Sequence, residues 1–110
     1  MEATKKYPES VYSRLSGDPD LGDLVAMFVE EIPKRVDTIL GHLNSGDMNS
    51  LRRDAHQLRG DAGSYGFDLL SPTASRVENA IRDGEAEERI REAVTELIDL
   101  CGRVKRGQPG

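Results

Sequence analysis

The chain has 110 residues, 36% of them apolar and 32% charged, which fits one ordinary globular domain and not a disordered tail. Its net charge of −5 and pI near 5.0 lack the basic field that holds nucleic acid or an anionic membrane, so a protein or small-molecule partner is expected. The lone Cys101 cannot close an internal disulfide, and no apolar run reaches the ~18 residues of a membrane span or has the build of a signal peptide, which points to the cytoplasm.

Residues 1–19 are polar and broken by Pro8, Gly17 and Pro19. They read as an N-terminal arm with at most one short helix around Glu9 to Leu15. From Asp20 onward Leu21, Val25, Phe28, Ile32, Val36, Ile39 and Leu43 recur every three or four residues, one face of a long helix. Pro33 removes one backbone bond within it, but the periodicity resumes beyond, so one bent helix is expected instead of two. Asn44, Ser45, Gly46 and Asp47 supply the stop. A second helix from about Met48 to Ala62 carries Leu51, Ala55, Leu58, Ala62 and Tyr65 as a heptad seam, and Gly63 to Gly66 break it.

Phe67, Leu70, Ala74, Val77 and Ile81 mark a third helix, with Ser71 and Pro72 as its cap and first helical residue and Asp83-Gly84 as its end. The fourth places Ala86, Ile90, Ala93, Leu97, Leu100 and Val104 on one stripe. Glu85, Glu87 and Glu88 open it, and Arg103, Lys105 and Arg106 close it, an order that suits the helix dipole. The few aromatic residues leave Leu, Ile, Val and Ala to fill the core. The expected fold is all-α: an antiparallel up-down-up-down four-helix bundle over residues 20–106, preceded by the arm and followed by a frayed tail, residues 107–110.

A bundle by itself does not name a function, so the informative residues are polar ones that packing does not explain. On a wheel of ~100° per residue His56 lies more than a quarter turn from the Leu51–Ala55–Leu58–Ala62 seam and should reach the surface. Arg59, Gly60 and Gly63 follow it on the same flank. Each helical glycine costs roughly 1 kcal/mol against alanine, and here the two glycines would clear bulk from around the imidazole while Arg59 offers donors to an anion. Gly63 has a second reading as a helix stop. An accessible neutral imidazole is a good nucleophile near pH 7, and a nearby cation would offset the charge of an attached phosphoryl group.

These residues, Ala55-His56-Gln57-Leu58-Arg59-Gly60 followed by Gly66, resemble the Ala-His-x-Leu-Lys-Gly…Gly run of the histidine-containing phosphotransfer (HPt) domain family. Phe28 to Pro33, Ser45-Gly46-Asp47 and Val77-Glu78 are also similar to that family, so the resemblance spans roughly residues 18–104. It implies a helical carrier that takes phosphoryl on His56 from a receiver-domain aspartate, or in some systems a kinase, and donates it to another receiver. Arg59 would replace the usual lysine as the stabilising cation, keeping the charge and changing its shape. Glu78 would stand where the family has a Gln or Glu that orients the imidazole. The carrier would need no cofactor of its own, with Mg²⁺ on the receiver, and would act as a monomer, without autonomous kinase activity.

Two other classes compete with this reading. A di-metal bundle needs Glu-x-x-His pairs, and Ile39 and Arg53 stand three residues before the two histidines. An HPt-like docking module that binds a receiver or kinase without transfer would not need the intact His56. His42 reads as a structural residue suited to a helix C-terminus, and Cys101 as a packing residue.

Overall fold

A computed structural model of the chain describes residues 7–109; residues 1–6 of the expected arm and Gly110 of the tail lie outside them. Helices α1 (Gly22–Ser45), α2 (Met48–Ser64), α3 (Leu70–Arg82) and α4 (Glu87–Cys101) follow in order. Short turns bring each helix back beside the one before it, and α1 closes the bundle against α4. The closest packing is between α2 and α3.

The amphipathic stripes read from the sequence become the core. Val25, Phe28, Ile32, Ile39 and Leu43 of α1 meet Leu51, Ala55, Leu58 and Ala62 of α2, with Phe67, Leu70, Ala74, Val77, Ile90, Ala93, Leu97 and Leu100 filling the rest. Phe28 packs its ring 5.4 Å from Tyr65 and 5.6 Å from Phe67, as aromatic pairs in a core prefer. Cys101 belongs to this core, where burial pushes its thiol up to about 12. Helix α1 continues through Pro33 as one element, because the buried residues on both sides hold it to the core despite the missing backbone bond. It ends at Gly46, whose φ of +76° allows Asp47 N–H to reach back to the His42 carbonyl at 3.0 Å. Asp47 then caps α2: its carboxylate accepts from the Ser50 hydroxyl and backbone N–H, and those bonds hold it below the ordinary carboxylate range.

Four boundaries differ from the sequence reading. No helix forms from Glu9 to Leu15; Val11–Tyr12 make a two-residue strand, β1, which pairs in parallel with β2, Val104–Lys105. Val104 therefore leaves the helical stripe. It is buried through the strand pair, which ties the arm to the end of α4 and also buries Val11. Helix α2 runs on through Gly63 to Ser64, and the reversal falls at Gly66, with φ +81°. Helix α3 starts at Leu70, with Leu69 at the cap position and Pro72 inside the first turn, where its missing N–H has no helical partner to lose. Ser71 does not cap; its hydroxyl donates to the Arg59 carbonyl at 3.0 Å.

Gly66 does two tasks at once. Its positive φ turns the chain from α2 toward α3, and its bare Cα lets the arm lie against it: a Cβ there would sit 2.7 Å from Ser13 Oγ and 3.0 Å from Leu15 Cγ. Arg14 N–H bonds the Gly66 carbonyl at 3.2 Å, and Ser13 Oγ donates to the Tyr65 carbonyl. Gly66→Ala should therefore destabilise the fold by about 2 kcal/mol or more, from the left-handed backbone and the displaced arm together. Denaturant unfolding measures this, and a change below about 0.5 kcal/mol would show that the arm contact is dispensable.

Candidate functional site

Ala55 and Leu58 are fully buried against the core, and this fixes the rotation of α2 so that His56, between them in sequence, points outward. Its side chain is 59% exposed. On α3, Val77 is fully buried and the next residue, Glu78, is buried at the α2–α3 seam with only 9% of its surface accessible. The two meet: His56 Nδ1 lies 2.7 Å from Glu78 Oε2. A carboxylate accepts, so Nδ1 carries the hydrogen, which leaves the lone pair of the ring on Nε2.

Arg59 lies one turn along α2. Its Nε is 3.5 Å from Glu78 Oε1, and its Nη2 is 3.5 Å from His56 Nδ1. The second approach pairs two donors, so the productive partner of the guanidinium is the carboxylate. The sequence reading gives Arg59 to an anion at the imidazole; here it stands beside Glu78. The signal was available in the spacing, because residues three apart on a helix share a flank and an acid facing His56 also faces Arg59.

The two glycines separate. A Cβ on Gly60 would meet nothing within 4 Å, so the surface one turn beyond His56 is open. A Cβ on Gly63 would touch Ser71 Oγ at 3.5 Å; Gly63 is half-buried and faces α3. Gly63 thus lies against α3, whereas Gly60 stands beside open space. Ser71, which the sequence reading made the cap of the third helix, instead pins α3 to α2 through the Arg59 carbonyl. The second histidine stands apart: His42 Nδ1 is 2.5 Å from Asp54 Oδ2, a half-buried link between α1 and α2.

A groove of about 470 Å³ between α1 and α2 is lined by Glu30, Glu31, Lys34, Arg35, Asp54 and Gln57 among others, without His56. His56 is thus presented on the outer face of α2, as suits a group that enters another molecule's cleft. Among the described residues no group of three His, Cys, Asp or Glu is gathered to hold a metal ion, and no helix is long and apolar enough to cross a membrane.

Compared with known proteins, residues 23–107 match the family model described as the Hpt domain. No curated protein and no solved structure matches the chain.

The geometry also sets an expectation for stability. Glu78 is a buried carboxylate with one oxygen, Oε1, lacking a hydrogen-bond partner among the described residues, whereas its neighbours His56 and Arg59 are well exposed. Replacing it strands no buried charge. Glu78→Met should leave the unfolding free energy unchanged or raise it by up to about 1 kcal/mol, since a buried polar group with incomplete bonding gives way to apolar volume. Thermal unfolding of the variant checks this. A loss of more than about 1 kcal/mol would mean that Glu78 is held for the fold.

Proposed function

Because the chain belongs to the Hpt domain family, whose members carry phosphoryl groups on histidine in phosphorelays, we propose that His56 is its phosphoacceptor. It would take phosphoryl from a receiver-domain aspartate or a kinase and give it to a receiver aspartate. The observation that carries this reading is the imidazole itself, anchored through Nδ1 at 2.7 Å by Glu78 on a side chain that is 59% exposed. An acceptor needs an available lone pair, and a carrier needs that atom where another protein can reach it. In transfer from an aspartyl phosphate the Nε2 pair forms the N–P bond as the P–O pair leaves with the carboxylate.

Domains of this family carry phosphoryl groups and are not autonomous kinases. In this reading Glu78 orients the ring, Arg59 balances phosphoryl charge, and Gly60 leaves room for the incoming receiver. The Mg²⁺ for transfer belongs to the receiver.

Incubation with a phosphorylated receiver should place an acid-labile, base-stable label on His56, and His56→Gln should abolish it. Label that persists in this variant, or that maps to His42, sinks the assignment.

Gly60→Leu separates the open surface from simple helix propensity. A strong helix former should stabilise α2 by up to roughly 1 kcal/mol, because nothing surrounds the position. The added side chain would nevertheless stand one turn from the imidazole, in the path of the receiver. Displacing the reacting atoms by ~1 Å can cost about a hundredfold in rate. Unfolding and transfer rate are to be measured on one sample; a stable variant that transfers at the parent rate refutes the role given to Gly60.

A further inference from the structure

The charges of α2 are sorted by flank. Its two helical carboxylates turn toward α1 and are answered there: Asp54 Oδ2 lies 2.5 Å from His42 Nδ1, and Asp61 Oδ2 lies 2.5 Å from Arg35 Nη2. Its arginines turn outward. Arg52 and Arg53 are both exposed, and Arg52, four residues before His56, stands one turn below the imidazole on the same flank. Arg52 makes no hydrogen bond or ion pair among the described residues. Arg53 has only a 3.4 Å approach of Nη2 to Ser50 Oγ and the nearby charge of the Asp47 cap.

Helix α3 adds a cation at the same level. His56 meets Glu78 and the Arg59 carbonyl meets Ser71, so a step forward along α2 is a step backward along α3. Arg82, one turn after Glu78, therefore stands across from Arg52, one turn before His56. Its side chain is 60% exposed, and its ion pair is a 3.4 Å contact with the adjacent and equally wet Asp83, an arrangement that neutralises little in water. A chain of net charge −5 thus presents a cationic ledge on one side of His56, away from Gly60.

Such a ledge favours an acidic partner. A cleft that holds an aspartyl phosphate together with carboxylates for Mg²⁺ is itself negative at its mouth. Resting on the phosphoacceptor reading, we infer that Arg52, Arg53 and Arg82 select the partner by charge: they draw a receiver whose cleft is rimmed by carboxylates onto the side of α2 that precedes His56, and they turn away one with a basic rim. They touch no reacting atom. Their effect is on encounter, where complementary fields raise association rates by ~10- to 1,000-fold and like charges suppress wrong pairings. The exposed Glu85, Glu87, Glu88 and Glu92 give the start of α4 the opposite sign, so the same partner is repelled from that face.

The test follows transfer to the whole chain, at limiting protein concentration and rising salt, from a carboxylate-rimmed receiver domain charged on its aspartate with acetyl phosphate. The parent rate should fall with salt, because the Debye length shrinks from ~10 Å at 0.1 M to about 3 Å at 1 M. Arg52→Glu should transfer roughly tenfold slower than the parent at low salt and match it near 1 M, with Arg52→Gln between the two. Lys105→Glu makes the same change in net charge beyond the end of α4, the helix diagonal to α2, and should stay near the parent rate. Equal slowing of the Arg52 and Lys105 variants overturns the ledge, and so does an Arg52 deficit that salt does not remove. Should Arg52→Glu fail to fold, Arg52→Gln and Arg82→Gln still decide. Phosphoramidate, a small N–P donor, phosphorylates histidine without a receiver. A parent chain that it leaves unlabelled at His56 defeats the proposed function; a labelled chain whose variants show no salt-dependent difference defeats the ledge alone.

Discussion

A 2.7 Å bond between His56 and Glu78 joins side chains from different helices, so it exists only if α2 and α3 are locked in register. The residues between them achieve this by being small. Ala55, Ala62 and Ala74 are fully buried, and Gly63 lets the Ser71 hydroxyl come within 3.5 Å of where its Cβ would be. Helices faced with such residues approach closely and cannot slide without opening cavities. The Ser71 bond to the Arg59 carbonyl fixes the same register from the polar side, one turn from the imidazole. A displacement of α3 large enough to break it would also withdraw Glu78.

The arm carries the constraint to the end of the bundle. Gly66 ends the turn leading from α2, and Ser13, Arg14 and Leu15 press on it while β1 pairs with β2 beyond α4. Tyr7 adds a hydrogen bond to Glu96 at 2.6 Å on α4, and Arg103 reaches the Pro8 carbonyl at 3.2 Å. The segment between α2 and α3 is thereby covered from outside, which limits the fraying to which helix ends and loops are prone. The site sits mid-helix on α2, away from any terminus, and inherits the rigidity of both neighbours.

How much of this was legible in the sequence depended on how local the determinants were. The four helices follow from apolar spacing, and the outward rotation of His56 follows from the seam beside it, because both are properties of one helix at a time. Glu78 was reached through a family resemblance, since no periodicity brings residues 56 and 78 together. What was missed is tertiary. Val11 and Val104 look like an arm residue and a helical stripe residue until they pair; Ser71 looks like a cap until the Arg59 carbonyl is seen beside it. Gly63 and Gly60 look equivalent on a wheel and differ only in whether α3 lies opposite. The approach of Arg59 to Glu78 is likewise a contact between helices that one helix's spacing does not show.

These placements divide the site into a buried half and an exposed half with opposite demands. Glu78 must be dry enough for its charge to be felt at the ring, because the same charge in bulk water would be screened to little effect. Nε2 must be wet, because a carrier has to meet its partner's cleft without a pocket wall of its own. A single imidazole spans the boundary and gives one nitrogen to each side. The family lysine would bring a compact charge to the edge of this arrangement, whereas Arg59 brings a planar fork, with its Nε 3.5 Å from the Glu78 carboxylate. The arginine thus gives the buried carboxylate a cationic neighbour at the solvent edge of the α2–α3 seam.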